Sequence, residues 1–301
     1  MDRLQKAFYE QGFEIAFLRA KGNEFQSLFE RLMGLAYKAD FMACRPWGNQ
    51  GDRKNDGFLK SERRLFQVYA PNEMEASKAI SKITEDFEGA KAYWGKHFDK
   101  WVFAHNATGG IPPHVQKFVL DFEVANSGIT LETWGLEEFR LVFRRLSHDD
   151  LQSWFGPVPS EETKTHLGFK DLQVVLETIA KRPVLTALAV REVPMGKIEA
   201  NALSISVTDL LKVGITKALL VETFFSKWHD ETLGERIAES FKAKYQELRT
   251  KFSPNEVFFE LQSWAGGGHR GTPEHELAVL TVIAYYFERC DIFEEPKTLE
   301  L

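Results

Sequence analysis

Residues 22–39, GNEFQSLFERLMGLAYKA, carry Phe25, Leu28, Phe29, Leu32, Met33 and Leu35 at three- and four-residue intervals. That is the spacing of one apolar helical face, and Asn23 is a candidate N-cap. The pattern then shortens. FMACRPW reads as a first strand, Asp56-Gly57-Phe58-Leu59 begins a second, and Arg64–Tyr69 forms a third, with a hairpin turn over Lys60–Arg63. Pro71 ends the third strand, and Asn72 is placed to cap a long polar helix running to about Tyr93. KWVFAHN, residues 100–106, is a buried-strand pattern, and ITLETW, residues 129–134, is another. Between them Pro112-Pro113 opens a helix to about Ala125, and Leu136–Leu146 is an amphipathic helix bearing Arg140, Arg144 and Arg145. Helix-linked strands joined to an antiparallel hairpin imply an α/β fold with a mixed sheet flanked by helices.

Beyond Gly156-Pro157-Val158-Pro159 the character changes. One helix is expected over about 168–181. After Gly196 the segments Val207–Val213, Lys217–His229, Thr232–Thr250, Pro254–Trp264 and Pro273–Cys290 all have helical spacing. The expected organisation is therefore an α/β module over 1–155, a connector with one helix over 156–195, and an all-helical domain over 196–301.

Composition narrows the function classes. Apolar residues make up 44% and charged residues 27%, the balance of a globular chain. The net charge of −6 confines any nucleic-acid contact to a local patch. Two widely separated cysteines, Cys44 and Cys290, argue against a disulfide scaffold or cysteine zinc site and suit a reducing cytoplasm. The opening MDRLQKAFYEQGFEIAF lacks a signal-peptide pattern, and no apolar window is long enough to span a membrane.

The chemistry concentrates in GNQGDRKNDGFLKSERRLFQVYAP, residues 48–71. Asp52 and Asp56 are natural turn residues, and they are also hard oxygen donors of the kind magnesium takes. Asp56 starts the second strand and Gln67 lies within the third, so a closed hairpin can bring them together on one face, with Tyr69 facing the same way as Gln67. Glu24 can overlie that end of the sheet. Arg53, Lys54, Lys60, Arg63 and Arg64 suit either a solvated hairpin or phosphate contacts beside a metal. His105 and Asn106, ending a buried strand, read as structural. Gly266-Gly267-Gly268 lacks the Lys-Ser or Lys-Thr of a phosphate loop.

Glu24, Gly51-Asp52, Asp56-Gly57 and Phe66-Gln67-Val68-Tyr69 together resemble the core of the PD-(D/E)XK nuclease superfamily in its Mrr-like branch, with a restriction-endonuclease-like fold. The resemblance implies Asp56 and Gln67 as ligands of Mg2+ or Mn2+, with the Val68 carbonyl alongside and Glu24 acting through water. The family's lysine position holds Tyr69, a neutral phenol at pH 7. Either Lys60 or Lys54 reaches in from the hairpin, or the site is weak, or it has become a binding site. GDRKNDGFLKSERRLFQVYAPNE also resembles effector subunits of ABC-three-component, Lamassu-like anti-phage systems, and GKIEANALS through CDIFEEP is similar to their helical terminal domain. This second resemblance implies an SMC-like ABC ATPase and a small accessory subunit docking on the helical domain, DNA as substrate, and homo-oligomerisation on activation. The rival expectations are a silent nuclease-fold module that binds DNA or the ATPase, and a structural adaptor.

Overall fold

Helix α1 (Arg3–Arg19) opens the chain, followed by α2 (Gly22–Tyr37), a 3-10 turn and the strands β1 (Phe41–Ala43), β2 (Gly57–Leu59) and β3 (Arg64–Tyr69). Then come α3 (Ala76–Trp94), β4 (Lys100–His105), α4 (Pro113–Ala125), β5 (Thr130–Trp134), α5 (Leu136–Phe143) and α6 (His148–Phe155). The computed structural model describes residues 1–44, 53–181, 197–268, 271–289 and 292–294. Residues Ala16–Asp150 form one compact unit, and Met1–Ile15 with Leu151–Leu301 form the other.

The first unit is a mixed α/β layer structure. Its five strands are ordered β1-β2-β3-β4-β5, with β1, β2 and β3 antiparallel and β3, β4 and β5 parallel. One face carries Leu65, Trp101, Phe103 and Leu131, which pack with Ile83 and Phe87 of α3 and Val115 and Val119 of α4. The other face is aromatic: Phe66 meets Phe29 of α2 and Trp134 of β5, and Phe139 of α5 meets Phe25, Phe29 and Trp134. Burial of these rings supplies the main stabilisation, roughly 25 cal/mol per Å² of apolar surface.

Two expected caps differ. Helix α2 begins at Gly22, with Lys21 at the N-cap and no side-chain cap. The Gly22 amide donates to the Ala70 carbonyl at 2.7 Å, so the strand end replaces Asn23 as the cap. Gly22 has φ +48, a left-handed conformation that glycine adopts without strain. Helix α3 starts at Ala76, four residues beyond Asn72, with Glu75 at the N-cap.

The second unit contains α7 (Glu161–His166), α8 (Phe169–Ala180), α9 (Lys197–Ala200), α10 (Ile205–Ile215), α11 (Ala218–Lys227), α12 (Leu233–Arg249), α13 (Pro254–Ala265) and α14 (Pro273–Glu288). Among the described residues, every element of this unit is a helix. Every residue of α14 from Leu277 to Phe287 is buried, as expected of a helix that is apolar on all sides and sits at a bundle centre. Its approach to α10 is close: a Cβ on Gly214 would lie 2.5 Å from Ala284 Cβ.

The expected boundaries lie at 155/156 and 195/196, whereas the structural division falls at 15/16 and 150/151. Buried polar bonds explain why the first residues join the helical unit. Glu14 accepts from Asn255 Nδ2 at 2.7 Å and from Ser206 Oγ at 3.1 Å, and Gln11 bonds Gln262. Helix α8, expected within the connector, packs on α14 and α12. Among the described residues no helix is long and apolar enough to cross a membrane.

Candidate functional site

Asp56 lies one residue before β2 and is only 5% exposed. Its amide donates to the Phe66 carbonyl at 2.9 Å, while its carbonyl accepts from Cys44 at 3.4 Å. These bonds hold its backbone between β1 and β3. Its carboxylate is bound on both oxygens: Oδ2 accepts from the Val68 amide at 2.7 Å, and Oδ1 accepts from Gln26 Nε2 of α2 at 3.3 Å. The carboxylate therefore reaches the Gln67–Val68 peptide at the end of the hairpin.

Gln67 alternates with Phe66 and so faces the α3 layer, beside Leu65 and Tyr69. It is 5% exposed, and its Oε1 is buried with no hydrogen-bond partner. A buried amide oxygen without a donor costs stability, so this atom is an unfilled acceptor. Asp56 and Gln67 thus meet at the Gln67–Val68 peptide, the carboxylate bonded by Gln26 of α2 and the amide on the strand face that packs on α3.

Tyr69 is half-buried against Phe103, with centroids 5.6 Å apart. It walls an open groove of about 280 Å³ with Ser77, Lys78, Ser81, Lys82 and Glu85 of α3. Beneath the groove lies Asp86, fully buried between Ile83 and Phe87 on the core face of α3. Lys54 and Lys82 both stand 2.9 Å from its Oδ1, and Lys54 also bonds Glu85. These carboxylates hold the Lys54 ammonium well above its usual pKa. Asp86 Oδ2 and Asn55 Oδ1 are further buried acceptors with no partner.

The other expected residues are spread out. Glu24 is exposed in the first turn of α2; the α2 side chain that reaches Asp56 is Gln26, which also donates to Glu30 at 3.4 Å. Arg53 lies over the Tyr93 ring at 5.3 Å. Lys60 is exposed in the hairpin turn. Arg63 is held by Asp99 and the Lys96 carbonyl, and Arg64 is ion-paired to Glu62 and Glu132 over the Trp134 ring. Arg64 is three residues from Gln67, about 10 Å along a strand, so Lys60, Arg63 and Arg64 occupy the hairpin end remote from Asp56. Arg53 and Lys54 are the basic residues at the Asp56 end. Asp52 and Cys290 lie outside the described residues.

His105 pairs with Tyr69 in the parallel register and is 3% exposed. Its Nδ1 accepts from the Ala107 amide at 3.2 Å, and burial pulls its pKa down to about 4. Asn106 donates to the carbonyls of Ala20 and Pro71, tying two loops together. Both behave as structural groups.

Sequence reasoning missed Gln26, Lys82 and Asp86. Asp86 did carry a signal: it occupies an apolar-stripe position, with Ile83, Phe87 and Ala90 on the same face of α3. Among the described residues no group of three or more His, Cys, Asp or Glu side chains is placed to hold a metal ion. The Asp56–Gln67 arrangement is of another kind, a single carboxylate beside neutral oxygens.

No curated protein and no solved structure matches the chain. Residues 170–294 do match one family model, which begins within α8 and extends past α14. That model describes C-terminal domain 10 of the ABC-three component (ABC-3C) systems, and the match supports membership of the chain in such a system, with its other components as partners.

Proposed function

We propose that the chain is the effector of an ABC-3C anti-phage system, in which the Ala16–Asp150 unit is a metal-dependent DNA endonuclease module and the helical unit docks the partner components. The observation that carries this reading is Asp56 at the Gln67–Val68 peptide with Gln67 Oε1 buried and unpartnered. The order α2, three antiparallel strands, α3 and a parallel fourth strand supports a restriction-endonuclease-like core of the Mrr-like PD-(D/E)XK type.

The donor set fits Mg2+ or Mn2+ in its chemistry: a carboxylate, the Gln67 amide oxygen and the Val68 carbonyl are all hard oxygens. Asp56, Gln67 and the Val68 carbonyl would hold the ion. When bound, such an ion polarises a phosphoryl oxygen and acidifies a water. Gln26 orients the Asp56 carboxylate, and Glu30 orients Gln26. Tyr69 limits water access from the α3 side. An SMC-like ABC ATPase bound to the helical unit restrains cutting until foreign DNA is sensed, which accords with the net charge of −6.

Phage protection in cells, with and without Asp56→Ala, tests the reading. Loss of protection together with loss of Mg2+- or Mn2+-dependent plasmid cleavage by the assembled system is the expected result. Full cleavage by the variant would remove Asp56 from the site. A second reading is a silent module that binds DNA or the ATPase; the two hydrogen bonds already on the Asp56 carboxylate and the phenol at position 69 favour it. It predicts protection that is insensitive to Asp56→Asn.

A further inference from the structure

We infer that the groove beside Tyr69 seats a DNA phosphate, with Lys82 of α3 as its cationic ligand and Asp86 as the residue that positions Lys82. This deepens the endonuclease reading and rests on it for the identity of the strand.

Five of the six groove residues present groups that suit a phosphodiester, the Ser77 and Ser81 hydroxyls, the Tyr69 phenol and the Lys78 and Lys82 ammonium groups; the sixth is the Glu85 carboxylate. The groove's acidic neighbours already have cations. Glu85 bonds Lys54, and Glu75 bonds Lys78 at 2.6 Å. Asp86 receives two lysines on one oxygen, and Lys54 alone spans both Asp86 and Glu85. Three carboxylates thus meet three lysines, so the cluster is neutral with Lys82 counted in, and the Lys82 side chain, held by Asp86, is 31% exposed at the groove.

Burying a carboxylate between Ile83 and Phe87 costs stability that an apolar residue would not. The cost is intelligible if Asp86 orders a lysine for a ligand. Gln67, two residues before Tyr69 on the same strand face, is the candidate metal ligand that faces this layer. An ammonium at Lys82 thus stands on the α3 side of the strand position where the family's lysine is replaced by Tyr69.

The test is the salt dependence of binding of a short fluorescent DNA duplex to the full chain in Ca2+, measured by anisotropy. A lysine on a phosphate contributes about one to the slope of log affinity against log salt. Lys82→Ala is expected to lower the slope by about one, Lys82→Arg to restore it, and Lys117→Ala on exposed α4 to leave it unchanged. A thermal melt of each variant checks that α3 is intact. An unchanged slope in Lys82→Ala, or no salt-dependent binding by the wild-type chain, overturns the inference. If the slope is unchanged while Asp56→Ala abolishes cleavage, the groove assignment fails and the endonuclease reading stands. If the slope falls while cleavage ignores Asp56→Ala, the phosphate groove stands and the endonuclease site fails.

Discussion

The Asp56 carboxylate accepts the Val68 amide at 2.7 Å, so the residue proposed to hold a metal also closes the end of the β2–β3 pair. Asp56→Ala leaves that amide without its partner and is expected to cost about 1–3 kcal/mol. Asp56→Asn keeps an acceptor oxygen and is expected to cost less, while abolishing protection equally. Urea unfolding of both variants beside a phage-plating assay separates the structural role from the chemical one.

Gln67 makes the complementary prediction. Its buried Oε1 has no partner, so Gln67→Leu is expected to be neutral or to stabilise the protein by about 1 kcal/mol, with protection lost. Gln67→Glu adds a second carboxylate near Asp56. It is expected to lower the melting temperature without metal and to raise the increment that Mn2+ produces. Melting curves with and without Mn2+ check both; a Gln67→Leu variant that protects fully would make Gln67 an ordinary core amide.

His105 makes stability depend on pH. Its folded pKa is about 4 against an ordinary value near 6.5, so from pH 6.5 downward the unfolded chain takes up a proton that the fold refuses. Stability from this group is full above pH 6.5 and falls as pH drops toward 4. From pH 7 to 5 the loss is about 2 kcal/mol. The His105→Gln variant is expected to flatten that segment of the urea-stability profile.

In the helical unit, Gly214→Ala puts a Cβ 2.5 Å from Ala284 Cβ and 2.9 Å from the Leu280 carbonyl. Both neighbours belong to the buried α14, so α10 must shift, at about 1–3 kcal/mol. Weakened co-purification with the other system components is expected alongside a lower melting temperature.

Deleting residues 1–15 is expected to destabilise the helical unit and to leave the sheet intact. The deletion strands the Asn255 and Ser206 bonds of Glu14 and the Gln262 bond of Gln11. Hydrogen exchange read separately over α13 and over β4 distinguishes the two.

The strands and most helices are legible in the chain because their apolar periods are clean, as with Phe25-Phe29-Leu32 in α2 and Pro254–Ala265 in α13. Helix α1 is not, since its buried positions include Glu10, Gln11 and Glu14 among Phe8, Phe13 and Phe17, which blurs the stripe. Asp56, Gln67 and Tyr69 are legible as candidates because polar residues at a strand start and strand centre stand out. Gln26 and Lys82 are not, because a half-buried glutamine or lysine on a helix usually faces solvent.

The sequence by itself determined most of the elements, the polar residues set into apolar runs, and the likeness of its helical tail, because period and composition are local properties. Only the tertiary structure decided which of those polar residues meet. It put Asp56 on the Val68 amide, sent Arg63 and Arg64 to acidic partners at the far end of the hairpin, and brought Lys54 and Lys82 onto a buried Asp86. Those pairings depend on strand register and on the face each helix turns inward, and both are settled by packing across the sheet rather than by any stretch of chain alone.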